Sequence, residues 1–145
     1  MATFNFYYPI VVRYGDLDPQ WHVNNARFLV FLEQTRLAYV QNLGLFDGKD
    51  FFNLGMIVAD VHIAYRAPIQ LNEAVRVGMR VTRLGSKSFQ TEYVIENPQT
   101  GEVKATAEII MVTFDYYQNR SIPIPDHWRE KIAAFEGIPP GPTPA

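Results

Sequence analysis

Near the start of the chain Phe4, Phe6, Tyr8, Ile10 and Val12 alternate with Asn5, Tyr7, Pro9 and Arg13. This period of two predicts a first strand. Pro9, which has no N–H to give a neighbour, marks it as an edge. From Asn25 to Leu43 the spacing changes. Phe28, Phe31, Leu32, Thr35 and Tyr39 fall on one helical stripe, and Leu29, Val30, Leu37, Ala38 and Val40 widen it. The breadth predicts a long helix buried over much of its circumference. Asn24 suits the N-cap and Gly44 the stop, while Arg27 at the third helical position leaves no capping box.

A loop rich in Gly, Asp, Asn and Lys runs from Gly44 to Gly55, and four strand-like runs follow. Ile57, Ala59, Val61, Ile63 and Tyr65 alternate with Asp60, His62 and Arg66; Val75, Val77, Met79 and Val81 alternate with Arg76, Arg80 and Thr82. Phe89, Thr91, Tyr93 and Ile95 oppose Gln90, Glu92 and Glu96. The last run, Glu102 to Asp115, becomes apolar on both sides at Ile109 to Val112, which predicts cover on both faces, one of them by another subunit. Leu84-Gly85-Ser86-Lys87 and Asn97-Pro98-Gln99-Thr100-Gly101 are short enough for antiparallel hairpins. A second helix is expected after Pro125, capped by Asp126, with Trp128, Ile132 and Phe135 along one side. The order predicts an α+β fold: one antiparallel five-stranded sheet curved around one long helix. Residues 1–138 form one domain in this reading, and the proline-rich stretch 139–145 a flexible tail.

The composition narrows the function. With 145 residues, 48% of them apolar, the chain can close a real core. Thirteen basic against 15 acidic side chains, without blocks of like charge, give no footprint for a phosphate backbone, so nucleic acid is not an expected partner. No cysteine is present, which excludes disulfides, thiol catalysis and thiolate metal sites. MATFNFYYP is unlike a secretion signal, and no segment approaches the ~20 apolar residues of a membrane span. A soluble, cytoplasmic protein without cofactor or metal is expected.

The chemistry concentrates between Arg13 and Arg36, RYGDLDPQWHVNNARFLVFLEQTR, where a turn bearing carboxylates stands directly before the long helix. Unpaired amides and aligned peptide dipoles make that helix end an acceptor of negative charge. Tyr14-Gly15-Asp16-Leu17-Asp18, His22-Val23-Asn24-Asn25 and Glu33-Gln34-Thr35-Arg36 resemble the hotdog-fold acyl-CoA thioesterases of the 4-hydroxybenzoyl-CoA thioesterase type. Weaker support comes from Tyr65-Arg66-Ala67-Pro68 and Pro123-Ile124-Pro125, so that the likeness extends over residues 4–135. The resemblance implies a catalytic carboxylate at Asp18 and a backbone N–H at Asn25 that polarises the thioester carbonyl. It also implies an active site at a subunit interface. One departure is Trp21, where many relatives have glycine; a bulky ring there is expected to narrow or cap the acyl pocket.

Physical chemistry agrees with these roles. An Asp carboxylate, with a reference pKa of about 3.9, is ionised at neutral pH and can attack a thioester or draw a proton from water without a partner base. A fixed N–H at a helix start stabilises the oxyanion that results. Asp16, His22 and Asn24 take supporting roles: loop bonding or pairing with Arg13, loop ordering, and capping. Glu33 is the reserve acid, although its spacing to Arg36 suits an ordinary ion pair. Asp60 and His62 share a strand face, too few for a metal site. Arg66, Arg83, Lys87 and Arg120 are candidates for the phosphates of coenzyme A.

The expected activity is hydrolysis of an acyl-CoA to free acid and CoA, with an acyl carrier protein as the alternative thiol carrier. An enoyl-thioester hydratase ranks lower, because Asp18 and His22 enclose three residues and not the four of that family. A non-catalytic acyl-thioester sensor is the third reading. A single sheet covers only part of a central helix and leaves its edges open, which predicts a homodimer or homotetramer.

Overall fold

Alternating side chains and turn residues produce five main strands in the computed structural model, which describes residues 4–53 and 55–142. Strand β1 (Phe6–Ile10) leads to helix α1 (Asn25–Asn42), and β2 (Met56–Tyr65), β3 (Val75–Leu84), β4 (Ser88–Glu96) and β5 (Val103–Asp115) follow. A two-residue β6 (Arg120–Ser121) pairs with the end of β5, and α2 (Asp126–Glu136) closes the order. All neighbours are antiparallel, in the order β1-β3-β4-β5-β2, so β1 and β2 form the two edges. Pro9 lies on the edge strand, as its missing donor requires.

Helix α1 sits in the concavity of the curled sheet and leans on β3 and β1. The stripe Phe28, Phe31, Leu32, Thr35 and Tyr39 is buried, and Tyr39 meets Phe6 of β1 edge to face. Burying each such apolar side chain contributes about 1.5–3 kcal/mol. Asn24 caps the helix with its side-chain oxygen on the Ala26 amide, and Gly44, at φ 71°, takes the left-handed position that ends it.

Three expectations are corrected, on α1, β2 and α2. Leu29 and Val30 are exposed, so the half of α1 facing β5 and β2 is not covered within the chain. A bulge between Val58 and Asp60 shifts the alternation of β2, turning Met56 and Val58, not Ile57 and Ala59, toward the helix side. On β5, Ile109 and Met111 are buried and Ile110 is exposed, so the chain itself covers one face and leaves open the one expected to meet another subunit. Helix α2 starts at Asp126 with Pro125 in the cap position and no side-chain cap bond.

The proline-rich stretch has no helix or strand in residues 139–142, and the Pro140 carbonyl accepts a hydrogen bond from Arg129 Nη1 at 2.6 Å. Residues 143–145 of the expected tail lie outside the described residues. No described helix is long and apolar enough to cross a membrane.

Candidate active site

The turn ahead of α1 is a small hairpin stitched to the sheet. Leu17 pairs with Val23, the Asp18 amide donates to the His22 carbonyl at 2.9 Å, and the Asn24 amide donates to the Asp16 carbonyl at 2.8 Å. The Val23 amide reaches the Ile69 carbonyl, and His22 bridges to Gln70, which ties the hairpin to the segment between β2 and β3. Asp16 is buried; its carboxylate accepts from the Arg13 amide at 2.9 Å and lies 3.7 Å from Arg27 Nε. Its ionic partner is thus the Arg27 side chain, while Arg13 contributes its backbone.

Asp18 is half-buried, and its Oδ1 accepts the Gln20 amide at 2.9 Å. The other carboxylate oxygen has no hydrogen bond among the described residues. Seven residues on, α1 begins. The Ala26 amide is taken by the Asn24 side chain and the Arg27 amide by the Asn24 carbonyl, which leaves the Asn25 amide without a partner among the described residues. The Tyr65 hydroxyl donates to the Asn25 carbonyl at 2.9 Å while the Tyr65 ring packs edge to face on Phe28. Tyr65 therefore clamps the peptide of Asn25 from the end of β2. One free carboxylate oxygen and one free amide stand at the same end of the molecule. That pair can supply an attacking or proton-accepting group and a donor for an oxyanion.

Trp21 is placed otherwise than expected. It is 72% exposed, lines none of the three main cavities, and holds φ at 68°. The turn Asp18 to Trp21 closes through a Trp21 amide to Asp18 carbonyl bond of 3.0 Å, and a left-handed residue must follow for the hairpin to resume. Backbone conformation, rather than pocket space, is what glycine suits here. A side chain in this region costs about 1–2 kcal/mol, against about 0.5–1 kcal/mol for the extra freedom glycine has when unfolded. Trp21→Gly is expected to raise Tm by about 2–4 °C, as a net gain near 1 kcal/mol does in a chain of this size. Trp21→Ala keeps the strained backbone and is expected to give no gain; an equal rise for both would refute the backbone explanation.

The remaining candidates are spread out. Arg66 follows Tyr65 but opens onto a second cavity on the convex face, beside His62 and Glu108. Arg83, Lys87 and Arg120 are exposed at the opposite end of the sheet, since Val75 pairs with Ile10 near the turn while Arg83 lies eight residues further along β3, about 26 Å away. A single chain does not bring these three to Asp18. Glu33 is exposed on α1 at the rim of a cavity that excludes Asp18. No group of three or more His, Asp or Glu among the described residues is placed to hold a metal ion, Asp60 and His62 included.

Two features escaped the sequence reading. Arg36 is buried against the Tyr93 hydroxyl and makes no ion pair with Glu33; its place on the Leu32, Thr35, Tyr39 stripe was the available signal. Lys104 is buried beneath Pro68 with Glu73 and Glu102, a contact across distant segments that no local pattern reveals.

Residues 12–132 match the thioesterase-like superfamily. The chain is 32% identical over 123 residues to the long-chain acyl-CoA thioesterase FadM of Escherichia coli, covering 85% of this chain and 93% of that protein. Among solved structures, a Thermus thermophilus thioesterase in complex with coenzyme A and zinc superposes with a TM-score of 0.82 at 33% identity, over 96% of this chain and 99% of that one. The PA5185 protein of Pseudomonas aeruginosa superposes with a TM-score of 0.81 at 27% identity, over 92% of each chain. The sheet curled around a helix is thus the hotdog fold of these enzymes, and the chain belongs to the thioesterase-like superfamily.

Proposed function

We propose that the protein is a cytoplasmic acyl-CoA thioesterase in which Asp18 attacks the thioester carbon or activates water, and the Asn25 amide holds the developing oxyanion. The observation that carries this reading is the coincidence of a free Asp18 oxygen and a free Asn25 amide at the end of one hairpin. Neither group has a hydrogen-bond partner among the described residues, although the Gln20, Ala26 and Arg27 amides beside them do. Negative charge arriving at the carbonyl oxygen meets a fixed donor and the positive end of α1, so little reorganisation is needed as the tetrahedral species forms. The likeness to FadM and to the coenzyme A complex from Thermus supports acyl-CoA as the substrate class. The direct test is thiol release from acyl-CoAs of graded length, with acyl carrier protein thioesters in parallel. Turnover is expected with the CoA esters. Absence of turnover with every thioester would overturn the enzyme in favour of a sensor.

The proposed active form is a homodimer. Strand β2 is an edge, and Ile57 to His62 are all exposed with three apolar branched side chains among them. A long apolar edge of this kind is a template for pairing with a second chain. It adjoins Leu29 and Val30 on the open half of α1, so one contact would cover both. Sedimentation is expected to give a species of at least twice the chain mass at assay concentrations; a stable, active monomer would refute the assignment.

A further inference from the structure

Because α1 leans toward β1 and β3, a cavity of about 320 Å³ remains on its other side, walled by Val30, Leu37, Phe51, Met56, Val58 and Met111. Three polar side chains join that apolar wall, the exposed Glu33 and Gln34 at the rim and the buried Arg36. Arg36, only 6% exposed, lines it and makes a single hydrogen bond among the described residues, from Nη1 to the Tyr93 hydroxyl at 3.2 Å. None of the described ion pairs includes it. A guanidinium only donates, and a neutral phenol satisfies little of that capacity. Buried charges are ordinarily paired, because an unpaired one loses its hydration without compensation. Arg36 is not among the described side chains whose nitrogens are both buried and unpartnered, so its remaining donors open onto the cavity.

The cavity and the candidate active site lie along the same helix. Ala26, Leu29 and Val30 are exposed on α1 between its first turn and the cavity, and Tyr65 touches Asn25 at the other end of β2. The helical rise puts the Arg36 backbone about 16 Å from Asn25, and a helical side chain leans back toward the N-terminus. An extended chain covers about 3.3–3.6 Å per three bonds, so once the arginine reaches back by roughly 4 Å an acyl group of about ten to twelve chain atoms spans the remainder.

We propose that the acyl chain runs along the exposed side of α1 into this cavity and that Arg36 binds a carboxylate at its far end, so that acyl-CoAs bearing an ω-carboxylate are preferred over plain fatty acyl-CoAs. The inference rests on the thioesterase reading above. A planar guanidinium matches a carboxylate with two parallel hydrogen bonds, a geometry that a hydroxyl cannot fill. Glu33 stands at the same cavity, but it is exposed, and water and salt screen its repulsion more than they screen the buried cation.

The test compares kcat/KM for dodecanoyl-CoA and for the mono-CoA ester of dodecanedioic acid. The native protein is expected to favour the diacid ester by about tenfold or more, the range of a hydrogen bond to a charged group. Arg36→Met is expected to lower that preference by about ten- to hundredfold, with the plain chain gaining as charge gives way to an apolar wall. Arg36→Lys keeps a cation without the fork and is expected to keep part of the preference. Hydrolysis of dodecanoyl-CoA by the native protein with no preference for the diacid ester overturns the inference while leaving the thioesterase intact. Hydrolysis of neither, with shorter acyl-CoAs equally inert, removes the thioesterase reading itself. Should Arg36→Met fail to fold, the native comparison alone still decides.

Discussion

Asp18→Asn is expected to lower the rate of thiol release from acyl-CoA by at least about 10²-fold, the typical contribution of a positioned acid or base. The replacement separates the two things the residue does. Its Oδ1 holds the Gln20 amide at 2.9 Å in the hairpin turn, and an asparagine oxygen can accept the same bond. The fold is therefore expected to survive, with melting close to that of the native protein. What the amide cannot supply is the charge on the second oxygen, which makes no protein hydrogen bond among the described residues and is the atom proposed to attack or to take the proton. Loss of turnover with unchanged melting would locate the effect in the chemistry. Asp18→Ala would be less informative, since it removes the turn bond too. Glu33→Gln is the companion variant: Glu33 is exposed and lines a cavity apart from the turn, so near-native turnover is expected. If the two outcomes are exchanged, Glu33 becomes the catalytic acid and the role of Asp18 reduces to holding the turn.

The sequence made the supports of this site readable because they are local. The stripe from Phe28 to Tyr39 and the cap at Asn24 place the start of α1 at Asn25, where it is observed, and β4 alternates residue by residue as expected. Asp18 before a proline was readable as a turn residue for the same reason. The misreadings come from contacts between distant segments or from single backbone angles. The bulge after Val58 depends on how β2 pairs with β5, and the left-handed conformation of Trp21 depends on how the hairpin closes. Arg36 and Glu33 have the spacing of a surface ion pair, but rotation of α1 against β4 sends the arginine to Tyr93 instead. Tyr65 belonged to a recognised motif, yet its function as a clamp on the Asn25 peptide exists only once β2 has crossed the sheet.

Replacing Lys104 with methionine is expected to destabilise the protein by about 3 kcal/mol and to lower Tm by roughly 10 °C. Lys104 is 3% exposed; its ammonium donates to Glu73 and Glu102 and to the Pro68 carbonyl at 3.0 Å. Methionine fills similar space but leaves Glu73 facing an apolar neighbour and the carbonyl unpaired, and breaking one side of a buried ion pair costs more than its formation contributes. Burial pushes the Glu73 carboxyl up, but hydrogen bonds from Lys104, the Gln70 amide and Asn97, together with the lysine charge, outweigh it and hold the group below its ordinary value. A lowered carboxylate contributes stability that is complete above its unfolded value of 4.5 and is lost as pH falls through the folded value. For Lys104, burial acts downward while its two carboxylate partners outweigh it, and the ammonium is raised above its ordinary 10.5. Its contribution is complete below 10.5 and is lost only as pH rises through the folded value. The native protein should thus lose stability from about pH 5 downward, and Lys104→Met should show a shallower acid limb. Activity should fall as well, because Ile69 and Gln70, on the segment that Lys104 fastens at Pro68, hold the backbone of Val23 and His22. A variant that melts like the native protein, with an unchanged acid limb, would show that this buried cluster neither fixes the segment nor supports the hairpin that carries Asp18.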